Sequence, residues 1–282
     1  MSLDLDHLRQ WLGRSETRVE TLASFPSSAL AATLDRADPP YDAGVALPPL
    51  WHWLHFLPVS PLAEAGPDGH PARGGFLPPV PLPRRMWAGS RLAFLAPLVI
   101  GETVTRRSVV KSVEHKAGKT GDLVFVTVRH ELAGPAGTAI EEEHDIVYRG
   151  LPAPDAPPPK PLAPPDGAQW SFPIRPDPVL LFRYSALTFN SHRIHYDLDY
   201  VTREEGYPGL IVHGPLIATL LLDGLRRKFP DRTVRKFSFR ALAPTFHIDP
   251  FSVHGKLDGP DRAQLWAEKS GQLTMDAVAE LG

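Results

Sequence analysis

The stretch from Leu210 to Leu225, LIVHGPLIATLLLDGL, decides how the rest of the chain is read. Ile211, Val212, Leu216, Ile217, Leu220, Leu221, Leu222 and Leu225 leave almost no polar stripe around a helical wheel, so the segment is expected to be a helix buried on all sides. Pro215 stands in the first turn, where its missing N–H would have had no helical partner, and His213 and Gly214 stand at the entrance. A helix of that kind needs a sheet around it.

The strands to build that sheet are legible on both sides. Downstream, Pro, Gly and Asp signals separate four strand-like runs, Val234 to Ala243, Ser252 to Leu257, Ala263 to Glu268 and Leu273 to Leu281. Upstream of the helix, Val179 to Thr188 reads as a further strand. The first part of the chain repeats the order: Arg18 to Leu22 as a short strand, Ser27 to Asp35 as a helix, then strands at Arg84 to Phe94, Thr103 to Val113, Leu123 to Leu132 and Ala139 to Tyr148. Between the two parts lies Leu151 to Asp166, LPAPDAPPPKPLAPPD, where proline removes donors and fixes φ. It reads as a semi-rigid linker. The expected organisation is therefore a first half at 1–150, a linker at 151–167 and a second half at 168–282. The expected class is α+β, each half an antiparallel sheet wrapped around a hydrophobic helix, with the two sheets edge to edge so that strand edges are protected.

Composition narrows the function. The 30 Lys+Arg and 32 Asp+Glu nearly cancel to a formal charge of −2, without a long run of either sign, so no nucleic-acid or anionic-membrane footprint is visible. The absence of cysteine excludes disulfides, thiolate metal sites and a Cys nucleophile. Met1 to Arg14 carries acidic residues and no apolar signal-peptide core, and no apolar run is long enough to span a bilayer, so a cytoplasmic protein is expected.

Chemistry-bearing residues concentrate in Tyr184 to Tyr200, YSALTFNSHRIHYDLDY, just ahead of the buried helix. Asn190, His192, His195, Asp197 and Asp199 lie there, and His213 and Gly214 follow at the helix entrance. Free N–H groups and the positive end of the helix dipole can stabilise an oxyanion, and because Pro215 has no donor, the Gly214 N–H is the candidate. His192, His195 and Asp197, completed by His213, have spacing that could also nominate a metal site.

ALTFNSHRIHYD followed by PGLIVHGPLIATLLLDGL resembles the hydratase signature of the MaoC-like hotdog family, A-L-[ST]-x-D-x-N-P-x-H-x-D and then I-V-H-G-M before an apolar helix. LPPLWHWLHFLP and PLPRRMWAG in the first half resemble its long, two-hotdog members, which include mesaconyl- and itaconyl-CoA hydratases and 3-hydroxyacyl thioester dehydratases. The resemblance implies a double hotdog that adds or removes water across the α,β bond of an acyl thioester, with no cofactor and no metal, and a homodimer as one possible assembly. The first half would be non-catalytic and form the substrate tunnel. The family's catalytic Asp and His fall on Asn190 and His195, and an amide cannot be a base. His195 is then the base, Gly214 the oxyanion donor, and Asn190 orients water or thioester. The family's Asn and Pro are replaced by His192 and Arg193.

His192, His213, Arg84, Arg85, Arg183 and Arg193 are candidates to bind substrate, the arginines through CoA phosphates or a carboxylate, with Arg193 first for the carboxylate because it adjoins His195. Trp51, Trp53 and Phe56 are read as core or acyl-tunnel wall. The expected substrate is a short acyl-CoA, mesaconyl-CoA or itaconyl-CoA first. The alternatives are a 3-hydroxyacyl thioester on CoA or acyl carrier protein, and a silent acyl-thioester binder, since the Asp is lost at Asn190.

Overall fold

In chain order, the computed structural model, which describes residues 3–71, 73–118, 121–150 and 160–282, forms two successive sets of five strands. The first set runs α1 (Leu5–Arg9), β1 (Ser15–Thr21), α2 (Ser24–Thr33), single 3-10 turns at Trp51–Leu54 and Leu62–Glu64, then β2 (Arg84–Phe94), β3 (Thr103–Gly118), β4 (Gly121–Gly134) and β5 (Gly137–Arg149). The second runs β6 (Trp170–Ile174), α3 (Pro178–Leu187), a 3-10 turn at Arg193–His195, α4 (Leu198–Arg203), α5 (Gly214–Lys228), β7 (Val234–Ala241), β8 (Phe251–Leu257), β9 (Arg262–Lys269) and β10 (Gln272–Leu281).

All ten strands join one antiparallel sheet in the order β1-β3-β4-β5-β2-β7-β10-β9-β8-β6. Reading outward from the β2–β7 seam, each strand of the first set meets its counterpart five strands later in the second: β2 and β7, β5 and β10, β4 and β9, β3 and β8, β1 and β6. The halves are thus topological copies joined edge to edge, as expected of the double hotdog. At the seam, a Cβ on Gly89 would stand 2.4 Å from Phe239 O, so only glycine lets β2 approach β7 there.

The helical filling is unequal. In α5 every residue from Leu216 to Leu225 is buried, against β8, β9, β10, β2 and β6. Its six large aliphatic side chains contribute roughly 1.5–3 kcal/mol each on burial, and Arg226, Arg227 and Lys228 complement the dipole at its C-terminal end. The first half has no such helix among its described residues: α2 is short, buries only Ser27, Leu30 and Ala31, and packs against α3. Trp51 and Leu54 join the core that surrounds α5, and the Trp51–Leu54 turn is held by Glu142. That buried carboxylate accepts from His52 at 3.1 Å, from Trp53 Nε1 at 3.2 Å and from Ser90 Oγ at 3.2 Å. Trp51 and Phe56 are core residues, as read from sequence, and Trp53 packs on Trp87 and Phe239.

One expected strand is a helix. Val179 to Thr188 falls in α3, because Asp177 accepts from Leu180 N at 2.9 Å as N-cap and Pro178 opens the first turn. Leu181, Tyr184 and Ser185 are buried while Val179 and Phe182 are exposed, a helical spacing within a run short enough to pass for a strand. The opening strand of the second half is β6, and its Pro173 is tolerated because β6 is an edge strand. Of the linker read at 151–167, residues 151–159 lie outside the described residues. The remainder is irregular and bonds to the second half, Leu162 O accepting from Leu273 N at 2.8 Å. Among the described residues no helix is long and apolar enough to cross a membrane.

Candidate active site

The loop that carries Asn190 starts from the end of α3 by a paired C-cap. Asn190 N donates to Ser185 O at 2.8 Å and Phe189 N to Ala186 O at 3.3 Å, with Phe189 left-handed at φ 49°. This turn normally takes glycine, so a bulky residue holds it at some cost. Asn190 Oδ1 then accepts from His192 N at 3.0 Å, which turns the chain into the Arg193–His195 segment. On the far side Ile211 N donates to Ile194 O at 2.9 Å and Val212 N to Thr245 O at 2.8 Å, so the approach to α5 is stitched to the histidine loop and to the β7–β8 connection.

These bonds bring three imidazoles of the second half together. His195 is buried; its Nδ1–H donates to Ile211 O at 2.7 Å, which leaves Nε2 as the acceptor nitrogen. His213 lies flat on it and is fixed by Ser185, Nε2 to Oγ 2.8 Å. His192 meets His195 edge-on with ring centroids 5.6 Å apart. Burial pushes His195 down to about 4, and burial with the neighbouring imidazoles pushes His192 and His213 down as well, so all three are neutral near pH 7. Behind them α5 begins at Gly214 with His213 as N-cap. A Cβ on Gly214 would find nothing nearer than Trp87 O at 3.9 Å, so the helix entrance is open beyond what packing requires.

The first half closes the site. Gly66 to His70 forms a tight turn in which Gly69 has φ 87°, and a Cβ there would lie 1.9 Å from Ser191 O. Ser191 Oγ donates to Gly69 O at 2.6 Å and Arg193 N to Asp68 O at 2.9 Å. His70 is thereby set against His192, ring centroids 4.0 Å apart, while its Nδ1 is bonded to Asp68 Oδ2 at 2.9 Å.

The expected arginines part company. Arg193 is committed: Nε and Nη2 donate to Asp197 Oδ2 at 3.0 and 2.8 Å, Nη1 to Pro67 O at 3.0 Å, and the guanidinium stacks on Tyr200. Arg84 pairs with Glu205 and stacks on Tyr207. Arg183 is exposed on α3 and is not brought to the histidines. Arg85 is close enough to depress both His70 and His192, and among the described residues no carboxylate pairs with it. The metal set His192, His195, Asp197 and His213 does not form, because Asp197 is held by Arg193 and by Tyr200 N at 3.0 Å. Asp68, His70 and His192 do bring donor atoms within 4.8 Å of one another, but the Asp68–His70 hydrogen bond and the positive charge of Arg73 and Arg85 work against a further cation.

Comparison with known proteins gives the family. The family described as "Hydroxyacyl-thioester dehydratase type 2" matches residues 50–247. A curated protein from Chloroflexus aurantiacus, "Mesaconyl-C(4)-CoA hydratase", is 47% identical over 275 residues, covering 96% of this chain and 97% of its own. The chain belongs to the hydroxyacyl-thioester dehydratase type 2 family. A further relative, "Hydroxyacyl-thioester dehydratase type 2, mitochondrial" of Schizosaccharomyces pombe, is 30% identical, covering 82% of this chain and 87% of its own. Among solved structures, a MaoC-like dehydratase from Phytophthora capsici matches with a TM-score of 0.70 at 16% identity over 99% of both chains, a likeness of fold.

Within this dehydratase family member the sequence reading missed Asp68 and His70. They stand far upstream in an irregular segment, and the visible signal was the turn sequence Pro67-Asp68-Gly69-His70. A cleft of about 570 Å³ beside β1, lined by Arg18, Glu20, Leu54 and Phe56 among others, contains none of the site histidines.

Proposed function

We propose that this hydro-lyase hydrates mesaconyl-C(4)-CoA, with His195 as base, Gly214 N–H as oxyanion donor and Arg85 as reader of the free carboxylate. The observation that carries the reading is the Arg85 guanidinium beside His70 and His192, which neighbours the Tyr148 hydroxyl and pairs with no carboxylate among the described residues. In a mesaconyl-C(4) thioester the free carboxylate sits on the β carbon, the carbon that water attacks. A guanidinium that recognises it must therefore stand near the base, and Arg193, tied to Asp197 and Pro67, is not available for that contact.

In the hydration direction, His195 Nε2 takes a proton from water as its oxygen bonds to the β carbon. The electron pair moves toward the thioester oxygen, where the Gly214 N–H receives the developing charge. Asn190, neutral and held through Oδ1 to His192 N, orients the water or the acyl group by its amide. None of these steps uses a metal or redox cofactor.

The name of the fission-yeast relative favours a second reading, dehydration of a 3-hydroxyacyl thioester on CoA or acyl carrier protein. Steady-state assays on mesaconyl-C(4)-CoA, itaconyl-CoA, crotonyl-CoA and crotonyl-carrier protein separate them. The proposal expects the highest kcat/KM on mesaconyl-C(4)-CoA, and Arg85→Ala should reduce that value far more than the value for crotonyl-CoA. Preference for an unbranched acyl chain would select the second reading, and tight binding without turnover would select a silent binder.

A further inference from the structure

The second half supplies one group suited to move a proton, whereas water addition handles two, one at the attacking oxygen and one at the α carbon. His195 has a single free nitrogen, because Nδ1 is bonded to Ile211 O. Asn190 does not titrate, Asp197 is occupied by Arg193, His213 is buried with its Nε2 on Ser185, and burial together with His70 and His195 on either side keeps His192 neutral without a carboxylate of its own. The imidazole in this cluster that has a carboxylate of its own is His70, and it comes from the first half, which the sequence suggested would only form the tunnel.

We propose that His70, oriented by Asp68, is the second acid/base residue of the site, exchanging the proton on the substrate's α carbon while His195 serves the water at the β carbon. This rests on the hydro-lyase reading of the same site. Three relationships carry it. Asp68 Oδ2 holds His70 Nδ1 at 2.9 Å, which fixes the tautomer and leaves Nε2 to exchange the proton, with the carboxylate ready to stabilise an imidazolium. The His70 ring lies tilted against His192 with centroids 4.0 Å apart, and His192 in turn meets His195 edge-on, so one imidazole separates the two acid/base groups. The turn that bears His70 is locked to the catalytic loop through Gly69 and Ser191, which fixes the spacing.

The balance is complete without a co-reactant. In hydration, the O–H bond of water breaks toward His195 Nε2 as the C–O bond forms, and the α carbon gains its C–H bond from the Nε2–H of a His70 imidazolium. His195 then releases its proton and His70 regains one, so the net change is the elements of water added to the double bond. In dehydration, neutral His70 removes the α proton and a protonated His195 gives one to the departing hydroxide. The groups facing His70 are Asp68, His192, Arg73 and Arg85. Burial opposes the imidazolium most, Asp68 favours it, and the two arginines oppose it.

The test is His70→Gln and Asp68→Asn, each checked for folding by thermal melt, assayed in hydration of crotonyl-CoA and mesaconyl-C(4)-CoA and in dehydration of 3-hydroxybutyryl-CoA with and without deuterium at the α carbon. The proposal expects His70→Gln to lower kcat on the order of 10²- to 10⁴-fold with little change in KM. It also expects the α-deuterium isotope effect to rise in both variants and to stay at the wild-type value in His195→Gln. Asp68→Asn, which keeps the turn's shape, should lose less and decides the matter if His70→Gln does not fold. Full kcat in His70→Gln, or a reduced kcat with an unchanged isotope effect, would overturn it. A wild type that turns over none of the three thioesters removes the hydro-lyase reading instead.

Discussion

The imidazoles of His195 and His213 lie face to face, ring centroids 3.7 Å apart and planes 17° from parallel. A proton on either would sit against the other in a buried setting, and burial already holds His195 near 4. A base must be neutral to act, so the acid side of the profile falls as pH drops through its own pKa. The acid limb of kcat/KM should therefore lie near pH 4 to 5, below the usual imidazole range of about 6.5. A pH profile of crotonyl-CoA hydration checks this, and a limb at 6 to 7 would show that another group is the base.

Stability should respond to pH separately from activity. Burial pushes His130 and His195 down to about 4 and His144 to about 3, whereas in the unfolded chain such groups bind protons below about 6.5. The unfolded state then holds more protons than the folded one, and falling pH favours it. Their stabilisation is fully present above about 6.5 and is lost progressively between that pH and about 3 to 4. Thermal melts from pH 8 to 4 should show a melting temperature that is level above 7 and falls steeply below 6.

Gly214→Ala should fold and melt at or slightly above the wild-type temperature, since a Cβ there fits and alanine is the better helix former. Its activity should nevertheless fall by about 10- to 10³-fold, because a methyl group would fill the approach to the Gly214 N–H. Wild-type kcat/KM in this variant would remove the oxyanion role of Gly214.

Arg193→Ala should lower turnover of carboxylated and uncarboxylated thioesters by the same factor, on the order of 10-fold or more, through loosening of the loop that carries His195. Kinetics on mesaconyl-C(4)-CoA and crotonyl-CoA in parallel check it. A loss confined to the former would return the carboxylate to Arg193 and take it from Arg85.

Phe189→Gly should stabilise the protein by about 1 kcal/mol, since it relieves a left-handed bulky residue at the end of α3. Chemical denaturation measures it. Activity should hold so long as Asn190 N keeps its bond to Ser185 O.

What sequence could and could not show follows from how local each signal is. The buried α5 and the strands β2 and β7 to β10 were legible because apolar runs and Pro or Gly breaks are written within a few residues. The gathering of Asn190, His192, His195, His213 and Gly214 was also foreshadowed, since those residues stand within one stretch of loop and helix entrance. The nature of α3 was hidden because a run such as VLLF fits strand and helix alike, although Asp177-Pro178 ahead of it spelled a helix start. Asp68 and His70 were out of reach for another reason. Their place beside His192 depends on a turn that bears no periodicity and is fixed by backbone contacts to residues more than 120 positions away. The commitment of Arg193 depends in part on a contact of the same kind, its bond to Pro67 O.

At Gly69 the first half rests its bare backbone on the carbonyl of Ser191 in the second, a fit with no room for a single carbon atom. Each half has therefore lost the liberty to vary by itself at this point. A second half borrowed from a cousin would bring its own path for the Ser191 carbonyl, and a first half borrowed in the same way would bring its own turn. Chimeras cut at the linker are thus expected to assemble a sheet more readily than a working centre.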